Sequence, residues 1–419
     1  MSDDDFGGMA RRQFLQTTAG AALAVAAPAG AADPPAGAWF DKPMRWAQLV
    51  LVENDPGTFD LNFWLDYFRR IHADAACLSA GGVVAYYPTQ VPLHHRSAWL
   101  KDTDPFGDLL AGCRKLGMRI LARTDPHAAR QDVADAHPDW IAVDARGRKR
   151  RHWSNPDLWV TCALGPYNFE FMTAVHREIM TRYRVDGIFS NRWAGSGLCY
   201  CEHCRKNLGG DIPRAEDPGD PNWRKYSVWR AERLIELAKL WDAEIRKINP
   251  DARFVPNGLP TLAGAADLAD ILFLDRQGRS GVNPPWINGL HAKKHRAVLG
   301  RKPIGGIFSV GLEEAPRWKD SVQSPAEIRV WVAEGIANGL RPWFVKFGGV
   351  LYDRRWLPVV EKIYRWHQAA ERYLRNESPI ARVAVVYSEQ TEKYYVGPPG
   401  RAQARFHELG MYHALVEAR

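Results

Sequence analysis

Between residues 45 and 375 the chain repeats one pattern eight times: a short apolar run followed by a longer amphipathic stretch. The apolar runs are 45–52, 73–81, 118–124, 185–191, 252–258, 270–275, 302–310 and 341–347. They are short and apolar throughout, the signature of parallel strands with both faces buried. The amphipathic stretches read as helices over 59–72, 104–117, 167–184, 222–249, 262–269, 287–300, 325–339 and 357–375. Asp60 is placed to cap the first of these, and Gly117 to end the second. Regular alternation of this length predicts a (β/α)8 barrel in preference to an open doubly wound sheet. No glycine-rich phosphate fingerprint follows the first strand, which argues against a dinucleotide-binding fold. A chain of 419 residues has room for one such barrel.

What flanks the barrel is of a different kind. Arg11 and Arg12 precede Phe14, Leu15 and a weakly hydrophobic Ala-rich run, and Ala29-Gly30-Ala31 offers a small-residue cleavage site. Residues 1–31 thus resemble a twin-arginine export signal, which predicts a periplasmic or secreted protein with no membrane association after cleavage. Beyond the eighth helix, 377–390 reads as a new strand and 405–419 as a helix. One strand and one helix cannot bury a core. The expected division is therefore a signal over 1–31, a barrel over 43–378 and part of a further domain over 379–419. A docked appendage is the other reading of that tail.

The net charge of +8 comes from scattered basic residues. The one dense run, 146–151, is short and reads as a solvated loop, so nucleic acid is not an expected partner. Self-assembly into homo-oligomers stays open.

In a barrel the chemistry sits at the C-terminal ends of the strands. The polar residues at those exits are Glu53, Asn54 and Asp55; then Ser79; then Arg123, Asp125 and His127. Asn191, Arg192 and Trp193 follow, then Asn257, then Asp275, Arg276 and Gln277, then Glu313 and Glu314, and finally Lys346, Asp353 and Arg355. Their convergence predicts a polar pocket. Trp153, Trp159, Trp193, Trp286 and Trp318 fall in loops on this side, where an indole can stack on a sugar ring or pack into the core.

Residues 199–204 read CYCEHC, three thiols at C-x-C-x-x-C spacing. Three thiolates so spaced can wrap one tetrahedral zinc, with Cys162 as the fourth ligand, and four thiolates would make the metal structural. A Cys201–Cys204 disulfide would leave a thiol over. A catalytic zinc, with His203 replacing one Cys, would need an open coordination position. Cys77 and Cys113 lie in strand and helix patterns and read as core thiols.

Cys162, Tyr167, Asn191 and the run from Cys199 to Cys204 resemble the family 42 glycoside hydrolases, bacterial β-galactosidases with a four-Cys zinc site. The chain is more similar still to the group called hypothetical glycosyl hydrolase 6. That resemblance runs through YYPT, ARTDPH, HPDW and VDGIF, then DRQGR, PWINGL, FSVGLEE, RWKDSV, EGIANGLRPWFVKF and DRRW. It implies a sugar-cleaving barrel followed by a flavodoxin-like domain related to the β-galactosidase trimerisation domain.

One departure matters. Family 42 enzymes end the fourth strand in Asn-Glu, the Glu being the general acid; here Asn191-Arg192 stands there, and a guanidinium cannot donate a proton at neutral pH. Fucosidase-like barrels carry a nucleophilic Asp at that strand end, where this chain has Ser190-Asn191. The resemblance puts the nucleophile near Glu313 or Glu314. The expected site therefore has Glu313 or Glu314 as nucleophile or base and Asp125 or Asp275 as acid. Arg123, Asn191, Arg192, Trp193, Gln277 and Asp353 would bind a carbohydrate substrate. The alternative is a catalytically silent barrel that binds carbohydrate.

Overall fold

The computed structural model describes residues 37–195, 197–262, 264–279, 283–311, 322–375, 380–396 and 406–418. The candidate signal over 1–31, Glu313, Glu314 and Trp318 lie outside the described residues.

The eight apolar runs are eight parallel strands: β1 Trp46–Val50, β2 Ala75–Gly82, β3 Arg119–Asp125, β4 Gly187–Ser190, β5 Arg253–Pro256, β6 Leu272–Leu274, β7 Ile304–Ser309 and β8 Arg341–Phe347. Their order across the sheet is β5-β4-β3-β2-β1-β8-β7-β6. β1 therefore pairs with both β2 and β8, with Trp46 opposite Ala75 on one side and Trp343 on the other. A parallel bridge between Asn257 and Phe273 joins β5 to β6 and brings the ring round to closure. This is a (β/α)8 barrel.

The helices alternate with the strands: α1 Leu61–Arg70, α2 Pro105–Lys115, α3 Thr173–Tyr183, α4 Pro221–Ile248, α5 Ala265–Leu268, α6 Ile287–Leu299, α7 Pro325–Ala337 and α8 Leu357–Ala370. Local chemistry fixes where they start. Asp60, Asp104 and Ser324 each accept from the backbone N–H three residues on, and Asp220 from that of Asn222. Proline opens the first turn of α2, α4 and α7, where its missing N–H leaves no gap. Gly117 ends α2 with φ +77°, as its position in the sequence predicts.

The lumen is filled by Trp46, Cys77, Leu121, Phe189, Val255, Phe273, Ile307 and Trp343, all buried. Trp46 and Trp343 stack at 4.4 Å between centroids. Gly305 is required beside them: a Cβ there would lie 2.4 Å from the Trp343 ring. Trp39 and Phe40 close the lower mouth, with the Trp39 indole N–H donating to the Asp251 carbonyl at 2.7 Å. The barrel is thus solid below its upper rim. Cys77 and Cys113 are core thiols, and burial pushes Cys113 up to about 12.

The tail differs from expectation. Residues 380–388 form no strand, and Ile380 and Val386 are almost fully exposed. A strand exists through its partner's hydrogen bonds, and no described strand lies beside this one. The expected terminal helix is present at Phe406–Glu417. It docks on α6 through Tyr412 against Trp286 and a 2.9 Å pair between Lys294 and Glu408. No helix among the described residues is long and apolar enough to cross a membrane.

Candidate active site

Polar side chains leave the strand ends and join in one hydrogen-bonded arc. Arg123 on β3 donates to Asp125, whose other oxygen accepts from Asn191 Nδ2 at 2.6 Å. Asn191 Oδ1 in turn accepts from Asn257 Nδ2 at 2.6 Å, and Asn257 reaches Asp275 at 3.2 Å. Gln277 Nε2 completes the arc on Asp275 Oδ1 at 2.9 Å. The arc thus follows the exits of β3, β4, β5 and β6, the sector where the ring closes.

Inside it lies a cavity of about 240 Å³, floored by Gln48, Phe189, Phe273, Ile307 and Phe347. Trp343 holds the floor from below by donating to Gln48 Oε1 at 2.9 Å. Asp275 is exposed to the cavity, whereas Asp125 is half-buried with both oxygens engaged. Gly82, at φ +109°, lets β2 pass Asp125: a Cβ there would meet the Asp125 carbonyl oxygen at 2.3 Å.

One wall comes from a segment between β3 and α3. Ala128–Ala129 pairs antiparallel with Trp159–Val160, and bridges such as Val143–Lys149 extend this ribbon. It carries His152, Trp153 and Ser154 to the cavity. The centre of the Trp153 ring lies 3.8 Å from that of His152 and 5.6 Å from that of His127, and the Arg192 guanidinium lies 4.7 Å from it. Arg192 itself sits at φ +51°, a left-handed conformation that costs a non-glycine residue about 1 kcal/mol. Burial holds His127 neutral, with its pKa lowered to about 4, and lowers His152 as well. The basic run 146–151 is accounted for nearby: Arg148 pairs with Asp144 at 2.8 Å and Arg151 covers Trp159.

The structure therefore brings Arg123, Asp125, Asn191, Arg192, Asp275 and Gln277 together. It does not bring Trp193 or Asp353 with them. The left-handed turn at Arg192 sends Trp193 into the core between Trp241 and Phe254, 1% exposed. Asp353 pairs with Arg355 beyond β8 and does not line the cavity. Trp286 packs on the terminal helix instead of the site. Sequence reasoning left out Gln48 and His152. A lone amide inside an apolar strand was a signal for Gln48; nothing in the sequence aimed His152.

Cys162, Cys199, Cys201 and Cys204 converge behind this wall, all buried and all unbridged. Their sulfurs lie within 4.8 Å of one another, and Cys162 stands 3.6 Å from both Cys201 and Cys204. A disulfide needs about 2.0 Å. Four thiolates about 2.3 Å from one tetrahedral ion would stand about 3.8 Å apart, so the donor set fits a metal with no open position. Tyr200 N–H donates to the Val143 carbonyl at 3.0 Å, tying the cysteine loop to the ribbon.

A polar cavity at the C-terminal face of a closed eightfold barrel defines a (β/α)8 barrel protein. Residues 60–192 match the family model of hypothetical glycosyl hydrolase 6, in accord with the resemblance read from the sequence. Among solved structures the chain is similar to α-L-fucosidase isoenzyme 2 from Paenibacillus thiaminolyticus, with 20% identity and a TM-score of 0.63. That match covers 79% of this chain and 50% of the fucosidase. A family 42 β-galactosidase from G. stearothermophilus aligns with 13% identity and a TM-score of 0.64, over 87% of this chain and 62% of that one. The β-galactosidase from Bacillus circulans sp. alkalophilus gives 14%, 0.60, 78% and 56% in the same order. At these identities the likeness is one of fold, and the chain spans about half to three-fifths of these proteins' length. No curated protein matches it in sequence.

Proposed function

We propose that the protein is an exported glycoside hydrolase whose sugar site is the cavity inside the arc from Arg123 to Gln277. The observation that carries this is the arc itself: two carboxylates, two asparagines and a glutamine ring a polar hollow where barrels place their chemistry. Glycoside cleavage needs one carboxyl to protonate the leaving oxygen and another to act as nucleophile or base. Asp275 faces the cavity and serves as one of the pair. Glu313 or Glu314, beyond β7, supplies the other, and Asp125 orients Asn191 while neutralising Arg123.

The four cysteines would hold a structural zinc, which fixes the loop after β4 and the end of the ribbon as one unit. Its role is to keep Arg192 and Trp153 in register. The twin-arginine signal would carry the barrel out already folded, with metal loaded before the thiols meet oxidant.

A screen of aryl glycosides and polysaccharides, repeated with D125N, D275N, E313Q and E314Q, tests the reading. Turnover on one substrate, abolished by D275N and by one of the two Glu variants, supports it. Turnover unaffected by all four would overturn it. A silent sugar-binding barrel is the second reading, favoured by Arg192 and Asn191 standing where a proton donor would serve; binding without product release would select it.

A further inference from the structure

The hydrogen-bonding groups of the cavity are not used evenly: Arg123 Nε–H and His127 Nδ1 are buried without a hydrogen-bond partner, and further unused groups stand on two sides. Arg123 is committed to Asp125. Arg192 is not committed: among the described residues its guanidinium makes no ion pair or hydrogen bond, only the stack on Trp153. Beside it, His152 Nδ1 accepts the backbone N–H groups of Ser154 and Asn155 at 3.3 and 3.2 Å. That fixes the tautomer of the neutral ring with its proton on Nε2. This Nε2–H is buried and has no partner. Two donors, one of them charged, thus stand together around Trp153 with nothing to receive them. Across the cavity the unused groups are acceptors. Gln277 spends its amide N–H on Asp275, and its Oε1 is buried without a partner. Asp275 is ringed by donors only from Asn257 and Gln277 and keeps oxygen lone pairs toward the cavity.

His152 Nε2–H and Gln277 Oε1 are buried, where an unpaired polar group is costly, whereas Arg192 and Asp275 are exposed and open to a ligand, so one bound molecule can engage all four. We infer that the cavity takes a carboxylate-bearing monosaccharide unit, a hexuronic acid, with its carboxylate on Arg192 and His152 Nε2–H and its ring hydroxyls donating to Gln277 Oε1 and Asp275. The inference rests on the reading of this cavity as a sugar site and adds the substrate's charge to it. A guanidinium offers a carboxylate two parallel N–H groups, and its stack on Trp153 limits its swing. The volume of about 240 Å³ is just under the ~300–1,000 Å³ range of drug-sized sites and suits one ring.

Isothermal titration of the whole protein with D-glucuronate, D-galacturonate, D-glucose, D-galactose and D-glucose 6-sulfate tests this. Asn tolerates the left-handed backbone of residue 192, so R192N removes the charge without adding strain. H152N keeps a side-chain acceptor for the 152–155 turn and removes the donor. The expected result is that a uronate binds about tenfold or more tighter than its neutral sugar, and that R192N lowers uronate affinity by about tenfold or more relative to its effect on the neutral sugar, so that the preference disappears. H152N should give a smaller loss in the same direction. Neutral sugars binding as tightly as uronates, or a uronate preference surviving R192N, would overturn the inference while leaving the sugar site intact. Equal binding of the 6-sulfate would overturn the choice of carboxylate. Failure of every sugar to bind would sink the sugar site and this inference with it.

Discussion

Asp125 and Asp275 show how two like residues on one arc acquire different work. Asp125 neutralises Arg123, whose side chain is 7% exposed, so removing its charge strands a buried cation. Stranding one partner of a buried pair costs about 3–5 kcal/mol. Asp275 stands in the cavity and leaves no such orphan. D125N should therefore lower the denaturation midpoint markedly, whereas D275N should leave it unchanged and reduce turnover by about a hundredfold or more. Urea unfolding of both variants, beside rates on any active glycoside, checks the split; equal midpoints would refute it. The identity of the polar rim was legible in the sequence because barrel chemistry sits at strand exits. Which way each exit residue points was not. Arg192 and Trp193 are neighbours in sequence, yet one left-handed φ puts the first over Trp153 and the second in the core.

At the scale of elements, two close approaches hold the site. β2 passes β3 only because Gly82 has no Cβ, at a backbone angle that L side chains avoid. G82A should destabilise the fold by about 2 kcal/mol or more, from the left-handed strain and the contact with Asp125 together. A thermal or urea midpoint within a few tenths of wild type would show that the strand can yield. The cysteine cluster is the other hold. It brings the loop after β4 against the end of the ribbon, where a metal would clip the two together, and Arg192 and Trp153 ride on those two segments. The expected metal content is one zinc per chain. C204S, or prolonged chelation, should release it and expose 197–209 to limited proteolysis; elemental analysis and peptide mapping read both. The spacing of the thiols announced this cluster in the sequence, because four soft ligands in one small volume leave few other roles. The strand expected over 377–390 failed for the opposite reason: its pattern was right, but a strand is a property of two segments, and none of the described ones flanks it.

Across the whole molecule the eightfold pattern was legible because burial on both faces leaves a plain apolar signature at each repeat. Less legible was how many titratable groups the packed barrel would take in. His94, His127 and His367 are lowered to about 4 and His176 to about 3, in each case by burial first. His176 lies between Trp241 and Thr124, and His94 between Gly82 and Thr89, so neither can gain a proton without disturbing core contacts. In the unfolded chain the same rings titrate near 6.5. The native state therefore binds fewer protons than the unfolded state between those limits, and stability falls as protons are added. The contribution from the neutral rings is fully present above about pH 6.5 and is lost as pH falls toward 4, at about 1.4 kcal/mol per unit for each ring still neutral. Four such rings predict a protein stable at neutral pH that loses several kcal/mol between about pH 6.5 and 4. Guanidinium unfolding at pH 7, 5.5 and 4.5 measures this, with H94Q as a control that should flatten part of the slope. A midpoint independent of pH over that range would mean that the rings keep their protons in the folded state, and that the core around them is wetter than its packing implies.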